Sequence, residues 1–150
     1  MSMQNYERAL ELIDEIGSGD FEGAKSEALV EKAEIALGLK FPPSYRRFLL
    51  ELGCGDIEGV EVYGIIDDNF EKSSIPNGIW MTLNQREAID LKNQFVIVGE
   101  DGDGTLHAID TGVVESGESP VVRLSVDGRN VEKMANDFGS YLLSRVEEVA

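Results

Sequence analysis

The tripeptide Phe41-Pro42-Pro43 constrains this chain more than any other feature. The residue before a proline avoids the helical region, and a proline suits the first turn of a helix. The step therefore forces an extended corner that ends one helix and opens the next. On its N-terminal side, Leu29, Val30, Ala33, Ile35, Ala36 and Leu37 supply the apolar residues of a helix. Ser26 suits its N-cap and Gly38 its C-terminal cap. On its C-terminal side, Tyr45, Phe48, Leu49 and Leu52 line one helix face, and Gly53-Cys54-Gly55 stops it. Two amphipathic helices joined by a rigid corner must turn their apolar faces towards one interior.

The remaining chain divides around this pair. Tyr6, Ala9, Leu10, Ile13 and Ile16 predict a helix over residues 4–16, closed by Gly17-Ser18-Gly19-Asp20. Beyond the corner the texture turns to strands. Residues 59–65 alternate, 95–98 form an apolar run, 99–104 make a turn, 105–110 return, and 121–126 add another strand. Residues 67–78 read as a loop, and 80–91 as a helix. Val131, Met134, Ala135, Phe138, Leu142 and Val146 predict a last helix from about 130 to 148. Helices, then consecutive antiparallel strands, then a helix is an α+β order. A chain of 150 residues without linker or repeat is expected to form one domain.

Charge narrows the function. With 13 basic and 29 acidic residues the formal net charge is −16. Direct nucleic-acid binding needs clustered cations, and Arg46-Arg47 is the densest basic pair, so none is expected. An anionic membrane surface would repel the chain, whose field favours a basic partner. No apolar run approaches a membrane span. Acidic residues interrupt Met1 to Ile16, which is therefore not read as a secretory signal; a cytoplasmic location is expected.

Catalytic and metal chemistry find little support. Cys54 and His107 are single, so neither an internal disulfide nor a multi-histidine metal site can form, and a Cys-based zinc site is not expected. Both are read as structural: Cys54 as a turn or core residue, His107 as a mid-strand histidine. Asp101 and Asp103 resemble the start of a calcium loop, but Leu106 and Gly112 stand where that pattern needs glycine and a bidentate glutamate. The segment is read as a hairpin turn. No cofactor, no metal and no enzymatic activity are expected; a hydrolytic enzyme is the least favoured of the readings. Trp80 is read as a core or groove-lining side chain and as a secondary candidate for a partner contact.

The segment Glu31 to Gly53 carries Leu37-Gly38, the corner, Tyr45-Arg-Arg-Phe48-Leu49 and a closing glycine. It closely resembles the signature of the SUKH superfamily, with Phe41 where leucine is commoner. Further likenesses follow in order: Val60 to Gly64, the hairpin from Val96 to Asp110, Pro120-Val121-Val122, and Met134 to Phe138 at the last helix. Together they span roughly residues 25–145. The resemblance implies an α+β fold with a central, largely antiparallel sheet packed by N-terminal helices and a C-terminal helix. It implies no catalytic residues; Leu37, Gly38, Pro42, Tyr45, Phe48 and Gly53 read as structural. It also implies a role, since many bacterial members resemble immunity proteins that neutralise a cognate toxin, and others act as regulatory or scaffold modules.

The expectation is thus a cytoplasmic immunity protein whose partner is a basic toxin domain. The alternative is an interaction module with no toxin partner. The partner surface is expected to include Asp67, Asp68 and Glu71 from one loop and Glu100, Asp101 and Asp103 from the hairpin, with Trp80 next to test.

Overall fold

The computed structural model describes residues 2–150, and of Ser2 only the backbone. Five helices and seven strands follow in the order α1 (Ser2–Ile16), β1 (Gly19–Phe21), α2 (Glu27–Leu37), α3 (Pro43–Glu51), β2 (Gly55–Ile57), β3 (Val60–Val62), α4 (Gly78–Ala88), β4 (Phe95–Glu100), β5 (Leu106–Asp110), β6 (Val121–Leu124), β7 (Val131–Ala135) and α5 (Phe138–Glu147). The fold is α+β, as the element order indicates. Its strands form two antiparallel sheets, β1-β2-β3 and β4-β5-β6-β7. A main-chain hydrogen bond from Tyr63 N to Val98 O, at 2.8 Å, ties the end of β3 to β4 across the seam.

The corner behaves as its residues dictate. Ser26 Oγ accepts from Leu29 N at the start of α2, and Gly38 closes that helix in the left-handed conformation at φ 71°. The one N–H of the corner tripeptide, that of Phe41, donates to the buried Glu34 carboxylate at 2.7 Å. Pro42 has no side-chain oxygen to cap α3. Glu118, arriving from the β5–β6 loop, accepts from both Ser44 N and Ser44 Oγ. Ser44 Oγ in turn accepts from Gly139 N, so one carboxylate orders the first turns of α3 and α5 together.

The larger core gathers Tyr6, Val30, Leu37, Tyr45, Phe48, Leu49, Phe138 and Leu142 between α1, α2, α3, α5 and the sheets. Tyr45, Phe48 and Phe138 form its aromatic centre, with ring centroids 4.9–6.1 Å apart. A second cluster, including Tyr63, Ile97, Ala108 and Leu124, packs on the four-stranded sheet with α4 residues Met81 and nearby Ile89.

Three expectations need correction. The last helix does not begin near residue 130. Val131–Ala135 is strand β7, paired with Val121–Leu124, and α5 starts only after Asp137, whose carboxylate accepts from Ser140 N at 2.7 Å. The apolar spacing from Val131 to Phe138 coincides with helical period by accident, and Val131 is in fact exposed. Asp127-Gly128 between two strands was the hairpin signal that outranks it. Second, the helix expected over 80–91 is shifted towards the N-terminus, because Asn77 Oδ1 caps Ile79 N and Trp80 N. Third, Gly19–Phe21 and Gly55–Ile57, expected as turn and helix stop, are strands too short to show a period.

Candidate interaction surface

The three-stranded sheet carries an unusual register. Asp20 of β1 stands opposite Asp56 of β2, and Asp56 stands opposite Glu61 of β3. Directly opposed residues share a face, so three carboxylates form one row across the sheet, an arrangement that destabilises through like-charge repulsion. The row leads into two adjoining clefts. One, of about 220 Å³, is lined by Asp20, Glu22, Asp56 and Glu61. The other, of about 240 Å³, lies on the seam and is lined by Glu61, Tyr63, Glu100, Asp101 and Arg145. Glu61 belongs to both, and its Oε2 is buried with no hydrogen-bond partner among the described residues. Tyr63, buried beneath, has its phenol pushed up by burial and further by Glu100 and Glu61. The cleft floor therefore opposes any further negative charge.

Behind the seam lies a buried polar chain. Tyr141 Oη lies 2.9 Å from His107 Nδ1, and His107 Nε2 lies 3.1 Å from Asp101 Oδ1. The second contact is close but poorly aligned, so it is an electrostatic contact rather than a formed hydrogen bond. Arg123 Nε donates to the other Asp101 oxygen at 2.9 Å. Burial pushes the Asp101 carboxyl up, but His107 and Arg123 outweigh it and hold it below the usual range. Burial pushes His107 down, and the nearby Asp101 does not restore it. Gly99 makes room for this chain: a Cβ there would lie 2.5 Å from Tyr141 Oη. Cys54 is buried, with its thiol pushed up to about 12 by burial and then by Glu22, which leaves no reactive thiolate.

The expected surface residues separate into three places. Glu100 and Asp101 reach the seam cleft. Asp103 is exposed on the β4–β5 turn, where its Oδ1 accepts from Thr105 N. Asp67 and Asp68 are exposed on the β3–α4 loop, while Glu71 shares a groove with Trp80. Two of these carboxylates meet a cation from far along the chain: Asp68 pairs with Lys32, and Asp101 with Arg123. The acidic side of α1 is likewise met from within, by Arg47 at Glu7 and Arg8 at Glu11. Asp20, Glu22, Asp56 and Glu61 were missed. Asp20 and Asp56 lie on three-residue strands that show no period, Glu22 lies just past β1, and Glu61 falls in the alternating run 59–65, which does not reveal what stands opposite it.

Among the described residues no helix is long and apolar enough to cross a membrane. The arrangement is a carboxylate-rich surface on a helix-backed scaffold, suited to contact with a cationic macromolecule. A family model described as SUKH_5, SMI1-KNR4 cell-wall, matches residues 6–147. That match takes in both halves of the helix–Pro–helix corner, both sheets and nearly the whole chain, and the protein belongs to the SUKH family.

Proposed function

We propose that this chain is a cytoplasmic immunity protein that binds a basic toxin domain through its acidic surface and neutralises it, without catalysis. Membership of the SUKH family supports a protein-interaction role. The observation that carries the acidic reading is the row Asp20–Asp56–Glu61. The Asp56 carboxylate accepts from Gly59 N in the β2–β3 turn, but the like charges of the row oppose one another, and a cationic partner would relieve that repulsion on docking.

The test begins with the adjacent genes. A neighbouring frame for a secreted protein with a basic C-terminal domain supplies the toxin domain to express. Co-expression with this chain should restore growth, and association should slow about tenfold when Glu61, Glu100 and Asp101 are replaced by their amides. A domain that remains lethal beside this chain would overturn the proposal. The family description as SMI1-KNR4 cell-wall favours one second reading, a regulatory or scaffold module with no toxin partner. Absence of any toxin-like neighbour would favour it.

A further inference from the structure

A second surface lies on α4. Ile79 and Thr82 face inward and are buried, with Thr82 Oγ1 donating to Gly78 O and accepting from Ile97 N. The adjoining flank presents Trp80, Leu83 and Glu87, at positions i, i+3 and i+7; Leu83, one turn from Ile79, is partly buried against the larger core and Glu87 is exposed. Together with Phe70 and Glu71 of the preceding loop they line an open groove of about 500 Å³. Trp80, the single tryptophan, is half-buried and lies outside both core clusters. Arg86 holds the groove in shape: its Nη2 donates to Leu37 O at 2.8 Å and to Asn93 O at 2.9 Å. Arg86 itself lines the groove, while its Nε is buried with no hydrogen-bond partner among the described residues.

We propose that this groove receives an amphipathic, basic helical segment of a protein partner, whose apolar side chains seat on Trp80, Leu83 and Phe70 and whose lysines or arginines meet Glu71 and Glu87. This deepens the reading of the chain as a binder of a basic protein and rests on it. Charge selects the occupant. Glu71 and Glu87 are both exposed at the rim, and the protein carries a net charge of −16, so an acidic segment is repelled. A second copy is disfavoured for the same reason, because it would bring another chain of net charge −16, with its own Glu71 and Glu87, to the same contact. An aromatic anchor in an apolar groove ringed by opposite charge is the arrangement that concentrates binding energy.

Trp80 reports directly on the test. Its emission is followed while the protein is titrated with a peptide of about 15 residues built as a Leu/Lys amphipathic helix. The comparison peptides carry Ser for Leu or Glu for Lys. A saturable blue shift with the Leu/Lys peptide alone is expected, weakened about tenfold or more by Leu83→Asp and by Glu71→Lys/Glu87→Lys. Leu83→Asp adds negative charge, so attraction by charge alone would leave binding intact or tighten it. Unchanged or tighter binding by that folded variant overturns the proposal, as does the absence of a saturable shift in the wild type. Should Leu83→Asp fail to fold, the exposed double variant decides. In co-expression with the toxin domain, rescue by Glu71→Lys/Glu87→Lys equal to wild type would remove the groove from the interface and leave the acidic surface standing. Loss of rescue by wild type itself would instead remove the toxin reading.

Discussion

Asp56 faces Asp20 directly across the β1–β2 ladder, and this pairing of like charges costs the fold stability. Neutralising the row as Asp20→Asn/Asp56→Asn/Glu61→Gln should raise the melting temperature. The expected gain is about 0.2–1 kcal/mol per relieved pair, shrinking at high salt. The same variant should associate more slowly with a basic partner. A calorimetric scan beside a binding-rate measurement checks both signs. A variant that melts lower than wild type would mean that the row is held by contacts stronger than its repulsion.

Phe48 is fully buried between Tyr45, Phe138 and Phe21. Its truncation to alanine should cost about 3–5 kcal/mol through lost burial and the cavity left behind. Urea denaturation measures this, with the partner surface as control, since Phe48 reaches no cleft. A Phe48→Ala protein that melts like wild type yet loses its partner would reverse the assignment.

Glu118 and Ser44 tie the starts of α3 and α5 together, so Glu118→Ala should destabilise both helices at once. Losing a charge-assisted cap on a buried N–H costs about 1–3 kcal/mol. Hydrogen exchange should rise at Ser44 and Gly139 together. Exchange rising at only one of them would separate the two helix ends.

His107 and Asp101 give the fold a pH dependence of defined sign. Burial lowers the imidazole below its ordinary value of 6.5, so the unfolded chain takes up a proton that the native state refuses. Stability is complete above about pH 6.5 and falls as pH drops towards the native value. Asp101, held below its ordinary 3.8, adds a further loss as pH falls below about 4. His107→Gln should flatten the upper part of this profile between about pH 7 and 5 relative to wild type. Parallel profiles for the two proteins would show that the histidine does not titrate across folding.

The sequence made the helical half of the molecule readable because its signals are local. Ser26, Gly38 and the proline corner each act on their own backbone, and α2 and α3 stand where those residues place them. Strand β7 was hidden because Val131 and Ala135 match a helical stripe while their pairing partners, Leu124 and Val121, lie beyond a turn. The acidic row was hidden for a related reason. Asp20 and Asp56 are 36 positions apart on strands of three residues, and only the ladder makes them neighbours. Nothing local in the sequence marks Glu34 and Glu118, yet each is buried and bound to a backbone N–H.

The seam between the sheets separates what this chain must keep from what it is free to revise. Each sheet completes its own ladder, and the bond from Tyr63 N to Val98 O uses main-chain atoms that every substitution except proline at position 63 preserves. Side chains at the cleft mouth, Glu61 and Glu100 among them, take no part in that bond. A lineage can therefore rewrite the cleft's charge and shape one residue at a time, without passing through an unfolded intermediate, and keep pace with a partner that changes.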